Sequence, residues 1–150
     1  MLDFFRVTSL HLSSGDIVQP GNWGGVIQGA GIRHNLYFRE ALFEDVRQRL
    51  RPEAPSRLRS VFGFESRGAA DHYIQQESRQ SPVPLRVYAM RCESEPVTHL
   101  GSMAVFDKLN TTFDVAEALR AIEEYWFGSG GDDYREVLFE VPSFVVRQEN

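Results

Sequence analysis

The stretch Gly128-Ser129-Gly130-Gly131-Asp132-Asp133-Tyr134-Arg135-Glu136-Val137-Leu138-Phe139-Glu140-Val141 sets a glutamate on a β-strand directly behind a glycine-rich loop. The glycines permit backbone conformations that other residues resist. Val137, Phe139 and Val141 alternate as one apolar face, which places Glu136, Leu138 and Glu140 on the other. A carboxylate fixed on a strand beside an adaptable loop suits catalysis, because the strand holds the geometry while the loop admits and orients a target. The same segment also reads as a half-exposed strand whose glutamates are simply solvated.

Other chemistry has less support. Cys92 and His99 could form a thiol and base, but they straddle a polar linker with no third group to orient them, and a lone cysteine usually serves packing. His11, His34, His72 and His99 are dispersed with no paired spacing on a helix face, so no metal is expected. Gly21, Gly24 and Gly25 match neither a dinucleotide-fold fingerprint nor a P-loop.

The elements that must hold Glu136 follow from patterning. Residues 4–10 read as a first strand, and residues 19–25 as a wide loop dense in turn residues. Residues 37–50 form an amphipathic helix on Leu42, Phe43, Val46 and Leu50, ended by Pro52. Residues 60–64 form a short strand, and Ser66 caps a helix over about residues 68–76. Residues 85–91 are a further strand, with another short one around residues 103–106. Asp114 opens a helix whose apolar stripe runs through Val115, Ala118, Leu119, Ile122, Tyr125 and Trp126 to Gly128, and a last strand follows at 144–147.

With 150 residues, 42% hydrophobic, the chain suits one well-buried domain over residues 1–150. Its class is α+β, strand-rich, with few helices. The net charge of −5 gives no broad basic footprint for duplex nucleic acid or an anionic membrane. The lone Cys92, the absence of a signal-peptide pattern at Met1-Leu2-Asp3-Phe4-Phe5-Arg6 and the lack of a long apolar run point to a soluble protein, cytoplasmic and not bound to a membrane.

Three separated segments now stand in a known order: Phe5-Arg6-Val7-Thr8 on the first strand, Val61-Phe62-Gly63-Phe64-Glu65-Ser66 followed by Ala69, Ala70 and Tyr73, and Arg135-Glu136-Val137-Leu138-Phe139. This resembles the mono- and poly-ADP-ribosyltransferase superfamily, where a first-strand His or Arg, a middle-strand aromatic or Ser motif and a late-strand Glu line one NAD cleft. The middle segment is similar to the diphtheria-toxin and poly-ADP-ribose-polymerase branch, with Phe62 where that branch has Tyr. A phenyl ring keeps the stacking face and loses only the hydroxyl. Arg6 looks more like the arginine of the Arg-Ser-Glu branch, so the chain is a hybrid, similar in this to small bacterial members such as rifampin ADP-ribosyltransferases and some toxins. Taken alone, Phe62 also reads as a core strand residue and Arg6 as a surface ion-pair arginine.

The resemblance implies a split β-sheet core with peripheral helices and NAD as co-substrate, with no metal. Glu136 would oppose the charge that builds on the ribose as nicotinamide departs. Phe62 and Tyr73 would hold the nicotinamide, and Arg6, Val7 and Thr8 the carboxamide, phosphate or ribose oxygens. A loop over residues 19–31 would close over the dinucleotide through Asn22, Trp23 and Gly24, although this turn also reads as an unrelated packing loop. Asp133 and Tyr134 would help choose the acceptor, with Tyr134 stacking on an aromatic group or merely capping the helix end beside Trp126.

The function implied is a mono-ADP-ribosyltransferase acting on an unnamed protein, nucleic acid or small molecule, either a toxin paired with an inhibitor protein or a modifying enzyme. Two alternatives stand beside it: NAD hydrolysis, and a catalytically silent domain of the same fold that binds a nucleotide or partner. The catalytic reading requires Arg6, Phe62 and Glu136 to line one cleft. Glu136 on the far side of the sheet from Arg6 would overturn it.

Overall fold

The computed structural model describes residues 1–80, 82–128 and 134–150. The chain builds β1 (Leu2–Thr8), β2 (Ile17–Val18), α1 (Asn22–Ala30), α2 (Tyr37–Leu50), β3 (Val61–Phe64), α3 (Arg67–Glu77), β4 (Arg86–Cys92), β5 (His99–Ser102), α4 (Ala104–Thr111), α5 (Val115–Phe127), β6 (Arg135–Phe139) and β7 (Ser143–Glu149). Among the described residues every pairing is antiparallel, in one seven-stranded sheet of order β2-β7-β4-β1-β3-β6-β5. The mixed α/β class agrees with expectation. The strand-rich emphasis does not, because five α-helices hold more residues than the strands.

Strand alternation sorts the sheet into two faces. One carries Phe4, Val61, Tyr88, Met90, Val137, Phe139 and Val145, covered by the segment between β1 and β2: the Tyr88 hydroxyl accepts from Leu12 N and donates to Leu10 O, both at 3.1 Å. The other carries Val7, Phe62, Phe64, Val87 and Leu138 beneath α2, α3, α4 and α5. The β1–β3 ladder has a single register pair, Phe5 with Phe64.

The helix ends follow local chemistry. Asp114 Oδ1 accepts from Ala116 N (2.8 Å) at the start of α5, and Gly128 closes that helix at φ 64°. Ser66 Oγ caps α3 through Ala69 N (3.1 Å). Two expectations fail here. The wide loop at residues 19–25 turns into α1 at Asn22, because Gly24 lets the helix lie on the Leu58 backbone: a Cβ there would sit 1.8 Å from Leu58 O. The short strand expected at residues 103–106 is the entry to α4, with the strand one step earlier at His99–Ser102, because a short apolar run does not separate helix from strand by period. Among the described residues, no helix is long and apolar enough to cross a membrane.

Candidate functional site

Glu136 lies on β6 opposite Phe64 of β3 on one side and Gly101 of β5 on the other, on the helix-covered face. It is 6% exposed. Its Oε1 accepts from the Tyr125 hydroxyl (2.5 Å) and from Arg57 Nη1, while Oε2 accepts from no described residue. Arg57 enters from a 3-10 turn just before β3, Arg57–Arg59, which Ser56 caps, its Oγ accepting from Leu58 N.

The Arg57 guanidinium is the centre of the cluster. Nε donates to Glu40 Oε2 (2.9 Å) and Nη1 to the Tyr125 hydroxyl (2.8 Å). Its Cζ lies 5.0 Å from the ring centroids of Phe43, Phe62 and Phe106 and 5.3 Å from that of Tyr125, an aromatic box attractive to a cation. Burial works to lower its pKa, but the Glu136 carboxylate, with Tyr125 and Glu40, outweighs burial and holds it well above its ordinary value. Burial likewise works to raise the Glu40 carboxyl, yet Arg57 and then Arg39 bring it below the usual range. Burial first, then the Glu136 charge against the pull of Arg57, sends the Tyr125 hydroxyl well up. Glu40 also accepts from Arg39 Nη2 (2.9 Å), so two arginines and two glutamates alternate inward from a half-buried guanidinium.

The expected site residues separate into groups. Phe62, Val7 and Glu136 share the helix-covered face. Tyr73, from α3, packs on Phe64 at 5.1 Å, and its hydroxyl is pushed up to about 12 by burial, then by Glu77 and Glu136. Tyr134 lies parallel to Phe64 at 6.4 Å and against His72 at 4.2 Å, so it joins an aromatic stack beside Glu136 and does not cap the helix end at Trp126. Asp133 lies outside the described residues.

Arg6 and Thr8 leave β1 on the opposite face, with Phe4. The expectation that Arg6, Phe62 and Glu136 line one cleft is therefore overturned, because Arg6 and Phe5 alternate and it is Phe5 that pairs with Phe64. Arg6 Nη1 instead donates to the Phe62 carbonyl (3.2 Å), and Thr8 Oγ1 accepts from Leu10 N (3.2 Å). Asn22, Trp23 and Gly24 are also corrected. They open helix α1 and form no loop: Trp23 packs at a right angle to the His34 ring, and Gly24 packs on Leu58 in the turn that carries Arg57. Two surface cavities, of about 310 and 340 Å³, lie away from Glu136, one lined by Tyr37 and Glu44, the other by Pro55 and Glu140.

Sequence reasoning missed Arg57, Glu40, Arg39 and Tyr125. Glu40 and Arg39 read as the solvated face of an amphipathic helix, and Tyr125 as one member of an apolar stripe. Nothing in their spacing links them to Glu136. Cys92 and His99 sit on opposite faces and form no pair.

His99, buried on β5, donates through Nε2 to the Tyr125 carbonyl (2.8 Å), and burial lowers its pKa to about 4. The folded protein keeps this ring neutral while the unfolded chain protonates near pH 6.5. Its contribution to stability is full above about pH 6.5 and is lost as pH falls toward 4, a change of about 3 kcal/mol. Denaturant midpoints measured across that range will fall less steeply for His99→Gln than for the parent; parallel curves would refute the assignment.

Fold and site together define a mixed α/β domain with a charge-neutral cluster buried between its sheet and its helices. The chain belongs to the family described as Protein of unknown function (DUF2441), whose model matches residues 18–149. No curated protein matches it.

Proposed function

We propose that this protein is an ADP-ribosyltransferase-like domain that binds a nucleotide or a partner and does not cleave NAD. The likeness draws support from the adjacency of β1, β3 and β6, from Phe62, Tyr73 and Glu136 gathering on one side of the sheet, and from a β1–β3 junction reduced to one pair, where a split sheet would open. It no longer draws on Arg6.

One observation carries the silence. The Arg57 guanidinium occupies the face of Phe62 on which nicotinamide would stack, and it holds the carboxylate that would meet the ribose. Breaking such a buried pair costs about 3–5 kcal/mol, which would weaken NAD binding by more than a hundredfold. Incubating the full chain with NAD and quantifying nicotinamide gives the test: release no faster from the parent than from Glu136→Gln. Release that depends on Glu136 overturns the proposal.

A second reading, an NAD-dependent mono-ADP-ribosyltransferase or NAD glycohydrolase that does without Arg6, is favoured by Oε2 of Glu136, which accepts from no residue among those described. With Oε1 fixed by Tyr125 and Arg57, Oε2 is the oxygen left for a ribose hydroxyl. Buried charge that packing alone would replace with apolar residues also fits a working site. The nicotinamide assay decides between the two, and only Glu136-dependent release would make the acceptor, whether protein, nucleic acid or small molecule, the next question.

A further inference from the structure

We infer that Arg39 is an anion-binding residue at the outer end of this cluster and receives a pyrophosphate group of the kind a dinucleotide carries. In its nucleotide form the inference rests on the binding function proposed above.

Arg39 stands in the first turn of α2, the outermost member of the cluster, with its side chain 25% exposed. Its protein bond runs from Nη2 to Glu40 Oε1, and that oxygen is shared with Arg57 Nη2 at 3.3 Å. Its Nε is buried and has no partner among the described residues. A buried donor left unmade costs about 1–3 kcal/mol, so a site built this way gains by taking an acceptor. The guanidinium also packs on an aromatic ring: Cζ lies over Phe106, 4.9 Å from its centroid, and Arg57 approaches the same ring to 5.0 Å. A guanidinium presents its N–H donors as a planar fork, the geometry that phosphate oxygens meet in pairs.

Five other arginines on the elements around the cluster are committed elsewhere. Arg57 is committed to Glu40, Glu136 and Tyr125. Arg6 leaves the other face of the sheet, as does Arg135, which pairs with Glu65. Arg59 pairs with Glu140 and Arg67 with Asp71.

Calorimetric titration of the full chain with ADP-ribose and, separately, with inorganic pyrophosphate tests this. Arg39→Gln is expected to weaken both by about tenfold to a hundredfold, the loss of a charge-assisted hydrogen bond. Arg39→Lys, which keeps the charge beside Glu40 and guards against misfolding, should lose nearly as much because it lacks the fork. Arg49→Gln, on the same helix and paired with the exposed Asp45, makes the same charge change and should leave both affinities unaltered. If ADP-ribose binds the parent and Arg39→Gln equally, the inference is overturned while nucleotide binding stands. Arg39-dependent binding of pyrophosphate without ADP-ribose or NAD binding supports the anion site and refutes the nucleotide. No binding of either probe at millimolar concentration overturns the inference.

Discussion

Replacing Arg57 by Met lowers the stability of the protein by about 3–5 kcal/mol, the cost of leaving buried carboxylates without their cation. Glu40 is fully buried and Glu136 nearly so, and both accept from this one guanidinium. Methionine fills the aromatic box among Phe43, Phe62 and Phe106, so the loss reflects charge more than volume. Urea unfolding with an unchanged slope and a lower midpoint is the measurement. The triple variant Arg57→Met with Glu40→Gln and Glu136→Gln should recover a substantial part of the loss, since it removes the unpaired charges together. A loss under about 1 kcal/mol for Arg57→Met would mean that the guanidinium is not seated in this box.

Gly101→Ala is the second large effect, roughly 3 kcal/mol destabilising. Gly101 sits opposite Glu136 on β5, and the Tyr125 ring occupies the space a side chain would need: an added Cβ would lie 2.1 Å from Cε2. Tyr125 is fully buried between Phe43, His99 and Trp126 and has nowhere to retreat. Its hydroxyl would lose register with Glu136 and Arg57 as the ring moved. Gly25→Ala supplies the control. A Cβ there meets nothing within 4 Å, and in the interior of α1 it should be neutral or stabilising by up to about 1 kcal/mol. If Gly101→Ala unfolds within about 0.5 kcal/mol of the parent, the close packing of Tyr125 against β5 is wrong.

Glu136 shows how two environments can hide behind one alternation. The pattern Glu136, Val137, Leu138, Phe139 set out a strand with two faces, and both faces proved buried. The polar–apolar alternation suggested a solvated side, but helices cover it. A covered polar position needs a partner, and the partner was Arg57, 79 residues away in sequence. Arg6 shows the converse. Its segment was placed on the right strand beside the right neighbours, but a single residue of register decides the face, and that register is set by the pairing of Phe5 with Phe64.

The features legible in the chain alone were local. Helix α2 runs over the residues expected from its apolar spacing, α5 begins at its Asp114 cap and ends at Gly128, and β3, β4 and β6 follow their alternation. Caps, periods and breakers act within a few residues, so they are legible without neighbours. Long-range packing set which face Arg6 takes, coiled residues 22–30 into a helix against Leu58, and brought Arg39, Glu40, Arg57, Tyr125 and Glu136 into one cluster. Those outcomes depend on strand register and on charges paired across long separations, where desolvation makes each group's energy a property of its partners and not of its own segment.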